Sequence, residues 1–386
     1  MAETAPQLNA AHRQWCDRPQ DERFWNLSDL DAHVRYIRER SAETATGLDA
    51  LKVVPTDAGD LNLTRGGGKL GFTNWSFGQL CRKVAAPASY LTSLPAPLAA
   101  SCLNQSIQTA AKEAGADGGV SLLHYQNGCA RIRAITSPRY ERIWNGDITP
   151  RLLRLAQEDG WRNPPSRTKG EAGEKSRPAT KADCMGASFI REGDMISPGG
   201  LYASDRDMFA FLVDTSHTIN DGSEDGLHRG FFVQNSEVGD CSFVLTFFLF
   251  RGTCGNHIIH GGKLLREIRI KHIGAANDRA FRAIRGELAD YANASAAETE
   301  AGIVAAKSCI LGTDKETVLD RLFGLKIASR QVLGAAWDGA YVDEDGSPDS
   351  AWGFAQALTR YSQTVPWADK RTDLDRQAGK VLALAC

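Results

Sequence analysis

The residues of this chain best equipped for chemistry crowd into one stretch, 229–262, which reads RGFFVQNSEVGDCSFVLTFFLFRGTCGNHIIHGG. Cys254, His257 and His260 follow a Cys-x-x-His-x-x-His spacing with Cys241 upstream, and zinc takes such sulfur and nitrogen ligands tetrahedrally. No paired Cys-x-x-Cys accompanies them, and alternate side chains of a strand point apart. No metal is therefore expected, and Cys254, His257 and His260 are only its weak candidates. Ser236, Glu237 and either histidine supply the residue types of a Ser-His-acid set. The G-x-S-x-G elbow that would present such a serine is missing, and a Cys254–His257 nucleophile pair has no better support. An ordinary turn explains the same residues: Asn235 and Ser236 bond their own backbone, Gly239 supplies a positive φ, and Glu237 holds Arg251 or Arg229. The functional rim expected from this stretch is Asn235, Ser236 and Glu237 facing Arg251, Asn256 and His257.

A second chemistry is spread along the chain. Aromatic rings stand near cations at Lys69, Phe72 and Trp75, at Arg139, Tyr140, Arg142 and Trp144, and at Arg229, Phe231 and Phe232. Rings stack on exposed bases while Arg and Lys follow a phosphate backbone. The segment 161–181 adds six basic residues (Arg162, Arg167, Lys169, Lys175, Arg177, Lys181) against Glu171 and Glu174, a surplus of four. With its prolines and few large apolar residues, it is expected to be a mobile insertion that contacts phosphates. Lys263, Arg266, Arg269 and Lys271 follow the central stretch with only Glu267 to offset them. The nucleic-acid contacts expected are thus Lys69, Trp75, Arg139, Tyr140, Arg167, Lys169, Lys175, Arg177, Arg229, Lys263, Arg266, Arg269 and Lys271.

Alternating apolar residues on either side of Gly66-Gly67-Gly68 predict a hairpin, as do those around Asn127-Gly128. The first turn lacks the GxxxxGK[ST] spacing of a phosphate loop, and no cofactor motif is present. Within 229–262 the spacing predicts strands at 231–233 and 242–250. Ser28 is expected to cap a helix over 28–40, Ser76 with Gln79 one over 75–84, Thr149-Pro150 one that Gly160 ends, and Thr313 with Glu316 another. Strand signals continue to about 273, after which helical stripes dominate. The fold class expected is α+β, with a mixed, largely antiparallel sheet in the N-terminal two-thirds and a helical C-terminal part. Its parts are a helical segment at 1–60, an α+β core at 61–273 with the insertion at about 161–183, and a helical region at 274–386.

The totals are those of an ordinary soluble chain: 386 residues, 42% hydrophobic, with 45 Lys+Arg against 47 Asp+Glu. A net charge of -2 speaks against a uniformly basic binder and leaves local patches open. Nine unpaired-looking cysteines suit a reducing compartment, and no stretch reaches the ~18 apolar residues of a membrane span. A cytoplasmic protein with no membrane partner is expected, with a homo-oligomer among its states.

The run RGF at 229–231, NSEVG at 235–239, FLFR at 248–251 and CGNHI at 254–258 resembles a phage- and plasmid-associated family known as domain-of-unknown-function family 932. The likeness extends to LYASDRDMFAFL at 201–212, SPRY at 137–140 and AWGFAQALTRYS at 351–362, and covers roughly residues 70–380. It implies a setting of mobile elements in a bacterial host cell rather than a mechanism. In that setting a nucleic-acid-binding accessory protein is the expected function, comparable by context with single-strand annealing proteins, and the expected partner is single-stranded DNA. The alternatives are an enzyme or metalloprotein built on the polar rim, and a protein that counters host defence by protein contact.

Overall fold

The computed structural model describes residues 22, 24, 26–127, 129–162, 167–168, 177–178, 201–222, 226–251, 256–258, 267–362, 364–365 and 368–385. A helix at Leu27–Glu39 (α1) leads into strands Ser41–Gly47 (β1), Lys52–Pro55 (β2), Leu61–Arg65 (β3) and Gly68–Phe72 (β4). Helices follow at Asn74–Lys83 (α2), Ala88–Leu91 (α3) and Ala96–Ala114 (α4), then strands Gly119–Asn127 (β5) and Cys129–Thr136 (β6). These six strands form one sheet in the order β1-β5-β6-β4-β3-β2. Every pairing in it is antiparallel except β4 with β6. The β3–β4 turn closes because Gly66 and Gly67 both take positive φ, the requirement that glycine meets without strain. One face packs on α2 and α4 through Leu63, Leu80, Leu103, Ile107, Leu122 and Ile132.

The chain crosses to its second body through Asn145–Glu158 (α5). Strands there are Trp161–Arg162 (β7), Leu201–Ala203 (β10), Met208–Ile219 (β11), Leu227–Asn235 (β12), Phe243–Arg251 (β13), Asn256–Ile258 (β14) and Glu267–Ile270 (β15). They make a seven-stranded antiparallel sheet. A separate two-residue ladder joins Arg167–Thr168 (β8) to Arg177–Pro178 (β9). Along β12 and β13 the apolar residues occupy both faces, as in a strand covered on two sides. Phe231, Val233, Phe243, Leu245 and Phe247 face the large core, with α1, α5 and the C-terminal helices. The opposite face carries a stack of rings, Tyr202 on Phe209 at 5.2 Å, Phe209 on Phe232 at 5.1 Å and Phe211 on Phe248 at 5.0 Å. Gly230 lies beneath the Phe248 ring, where a Cβ would come within 2.3 Å of it.

The last third is helical: Ala276–Arg282 (α6), Leu288–Ala292 (α7), Ala296–Ser308 (α8), Lys315–Gly324 (α9), Arg330–Asp338 (α10), Val342–Asp345 (α11), Ala351–Ser362 (α12) and Ala368–Leu382 (α13). The chain is thus α+β, as the sequence pattern predicts. No described helix is long and apolar enough to cross a membrane.

Several expectations are corrected in detail. The segment 1–60 is not only helical, because β1 and β2 lie in it and form the two edges of the first sheet. Asn26, not Ser28, caps α1 by accepting from the Asp29 amide. Thr73 and Ser76 form the capping box of α2 in place of Ser76 and Gln79, and Asp314 rather than Thr313 caps α9. The helix expected from Thr149-Pro150 begins at Asn145, with Pro150 inside it.

Candidate functional site

The turn at 235–240 joins β12 to β13 and inserts between the two sheets. Glu237 is buried and its carboxylate takes a hydrogen bond from Arg133 Nη1 of β6 at 2.8 Å. Its second oxygen accepts from the Asn145 amide at 2.8 Å, at the first residue of α5. Asn235 Nδ2 donates to the Ile143 carbonyl at 2.8 Å and to Asn145 Oδ1 at 2.7 Å. Ser236 Oγ donates to the Arg206 carbonyl at 2.6 Å and accepts from the amides of Val238 and Asp240. From the other side, Trp75 Nε1 and Gln79 Nε2 of α2 both donate to the Val238 carbonyl, at 3.0 and 2.7 Å. Val238 fills a small apolar cluster with Leu123, Ala134, Trp75 and Trp144. Burying a carboxylate and a guanidinium is tolerable only because each finds its partners there.

The connector 137–145 is held to both bodies. Tyr140 donates its hydroxyl to the Ser236 carbonyl at 2.8 Å and stacks on His272 with centroids 4.8 Å apart. Burial raises the Tyr140 pKa, and it pushes His272 down to about 4, so His272 is neutral at pH 7. The Glu141 carboxylate receives the Ala276 and Asn277 amides at the start of α6, and these bonds hold its pKa below the usual carboxylate range. Arg142 turns back to the first sheet and donates to Glu43 at 2.7 Å.

This arrangement revises the expected rim. Glu237 pairs with Arg133, not with Arg251 or Arg229, because the β12–β13 hairpin is tight and antiparallel. Asn235, Ser236 and Glu237 therefore sit at one end of the hairpin, with Arg251, Asn256 and His257 at the other. At ~3.3 Å per residue the two ends are roughly 25 Å apart. The side chains of Arg251, Asn256 and His257, and all of Cys254 and His260, lie outside what is described. Among the described residues no group of three metal-ligating side chains comes together. The Ser236 contacts given above are to main-chain groups, which leaves the residue a structural part rather than a nucleophile.

The expected phosphate contacts divide. Arg229 is 5% exposed and donates to the carbonyls of Ala292 and Ala294, because alternation along β12 turns it to the same face as Phe231 and Val233. It is withdrawn from any nucleic-acid surface. Arg269 is paired with Glu267 at 3.0 Å, and Lys271 is exposed. Lys169, Lys175, Lys263 and Arg266 lie outside the described residues, as do the side chains of Arg167 and Arg177. Lys69 and Arg139 are exposed.

Trp75 is where the expected set gains members that the sequence reading missed. Arg82 from α2 and Arg206 from the β10–β11 loop each place a guanidinium 5.2 Å from its ring. Both arginines are exposed and neither makes an ion pair among the described residues, nor does Arg139 beside Tyr140. Gly239 forms the exposed tip between them, where a Cβ would stand 3.6 Å from both Gln79 and Tyr140. The motif RDM at 206–208 offered a local hint, but the meeting of Arg206 with Trp75 depends on the docking of the two sheets. A cleft of about 770 Å³ is lined by Gly47, Asp49, Lys112, Gly118 and Pro138 among others.

Comparison of the chain with protein-family models, with curated proteins and with solved structures returned no match.

Proposed function

We propose that this is a nucleic-acid-binding accessory protein of a phage or plasmid, a member of the unknown-function family 932 that its motifs resemble, working in the cytoplasm of a bacterial host. The observation that carries the reading is the Trp75 cluster, in which Arg82 and Arg206 flank one indole and Arg139 stands exposed nearby. Unpaired guanidinium groups around an aromatic ring match a phosphate backbone with its bases, and the cation–π contacts hold them in place. Asp205 and Asp207 stand beside Arg206 in the sequence and moderate its field. The polar residues at 235–237 serve this surface by holding the two bodies together, and no observation favours catalysis there.

The test is fluorescence anisotropy with a labelled oligonucleotide at several salt concentrations. Binding is expected at about 50 mM salt, falling steeply with added salt. In R82A/R206A the affinity falls and the log–log salt slope flattens by about 1.4, since each phosphate contact on a single strand contributes about 0.7. Absence of binding by the unaltered protein at about 50 mM salt refutes the proposal.

A further inference from the structure

The first sheet has one face on α2 and α4, and its other face is only partly covered. Strand alternation assigns residues to that second face, and the register lines them up. One continuous row runs Ser41, Tyr125, Arg131, Gly71, Asn62, Val54 across all six strands. A second row on the same face runs Lys69, Thr64, Lys52. A Cβ at Gly71 would lie 3.6 Å from Asn62 Oδ1 and 3.9 Å from Arg131 Cγ, which confirms that these neighbours share a side.

Toward the other end of the same face, Leu123 and Ala134 are covered by Val238, Trp75 and Trp144. No described element gives the lower rows such cover: Lys52, Lys69 and Arg131 are exposed, and Tyr125, Gly71 and Asn62 are part-exposed. None of the three cations makes an ion pair among the described residues. The one carboxylate on the face, Glu43, belongs to the covered end and is taken by Arg142 and Ser121. With strands ~4.8 Å apart and ~3.3 Å per residue, the Cα atoms of Lys52, Lys69 and Arg131 stand about 8–10 Å from one to the next. Exposed charge of one sign therefore lines a surface that has a ring in register with Arg131 and a glycine at its middle.

We propose that this open face is a track for a single strand of nucleic acid, which ends at the arginine-flanked Trp75. The inference rests on the nucleic-acid reading above and adds to it the class of strand and the path. Lys52, Lys69 and Arg131 meet phosphates, the Tyr125 ring offers a stacking platform for one base, and Gly71 lets the strand approach the sheet backbone closely. A single strand is favoured over a duplex because the face is a sheet surface on which no described helix or ribbon stands to enter a groove. Base faces, which a ring can stack on, are available only when bases are unpaired. Trp75 packs on Leu123 and Ala134 at the covered end of this same face, which is where the proposed track meets the two arginines.

The experiment measures anisotropy for the full chain with a labelled single-stranded oligodeoxynucleotide, with its duplex, and with labelled polyglutamate. The single strand is expected to bind at least about tenfold tighter than the duplex. K69E/R131E is expected to weaken it at least about tenfold with unchanged far-UV circular dichroism, while R285E on the helical region leaves it unchanged. Y125A is expected to weaken binding about fivefold or more without changing the salt slope. Wild-type binding that persists in K69E/R131E would overturn the track and leave the Trp75 surface standing. Equal affinity for duplex would overturn the single-strand assignment. Binding of labelled polyglutamate with no oligonucleotide binding would make the occupant an acidic peptide, and no binding of either would overturn both proposals.

Discussion

Replacing Glu237 with alanine removes a buried carboxylate that joins the two bodies through Arg133 and the Asn145 amide. Its carboxylate is 2% exposed and the Arg133 side chain 8%, so the truncation strands a guanidinium away from water. Breaking one side of a buried pair costs about 3–5 kcal/mol, and the Asn145 amide loses its acceptor as well. A loss of about 4 kcal/mol is expected for E237A. In R133M/E237L neither charge remains, and apolar groups of similar length occupy the site. The double variant should then lose less than about 2 kcal/mol, much of it from the Asn145 amide, which gives a coupling energy of about 2 kcal/mol or more. Urea unfolding followed by tryptophan fluorescence, with midpoints and slopes for E237A, E237L, R133M and R133M/E237L, measures this directly. A loss below about 1 kcal/mol in E237A, or a double variant equal to the sum of R133M and E237L, would refute the role assigned to the pair.

His272 makes the seam sensitive to acid. Its folded pKa of about 4 lies below the 6.5 of an unfolded histidine, so the unfolded chain binds the extra proton first as pH falls. The stability that His272 contributes is present above pH 6.5 and is lost between there and about 4, with a slope of up to about 1.4 kcal/mol per pH unit. Urea midpoints taken from pH 7 to 4 should fall less steeply in H272N, and an identical slope would remove His272 from the account. Glycine at 353 is needed for close approach of chain to chain, since a Cβ there would lie 2.0 Å from the Ser347 carbonyl oxygen. At Gly230 the obstacle is a ring, which can shift at about 1–3 kcal/mol. Thermal unfolding should therefore fall further in G353A than in G230A, and the reverse order would show that the Ser347 loop yields easily.

Local signals carried the fold well and the site poorly. The Gly66-Gly67-Gly68 hairpin was legible because the turn chemistry lies within the residues that form it. Helix caps slipped by one to three residues because strings such as Asn26-Leu27-Ser28 and Thr313-Asp314 offer more than one capping side chain. The start of α5 was missed for a different reason: Glu237, 92 residues away, accepts the Asn145 amide and lets the helix begin well before Pro150. β1, with the sequence SAETATG, has hardly any apolar alternation and becomes a strand by pairing with β5. At the site, the polar turn NSEVG stood out in the sequence, but its partner Arg133, on β6 and 104 residues away, had no local signal to mark it. The exposed rows of Lys52, Lys69 and Arg131 come from three strands whose neighbourhood follows from the parallel β4–β6 pairing, which no local pattern announces.

The position of the 235–240 turn in the chain gives it a place in time as well as in space. Every strand of the first sheet lies before residue 137, and synthesis releases them together with α2 and α4 a hundred residues ahead of Glu237. Domains generally fold as units in the order in which they emerge. Arg133, Gln79 and Trp75 are thus laid out on a finished surface when the turn arrives, and its closure couples the second body to the first. A nascent chain halted shortly before residue 235 would carry a folded first sheet with its latch side bare, and that bare side is what a chaperone would meet.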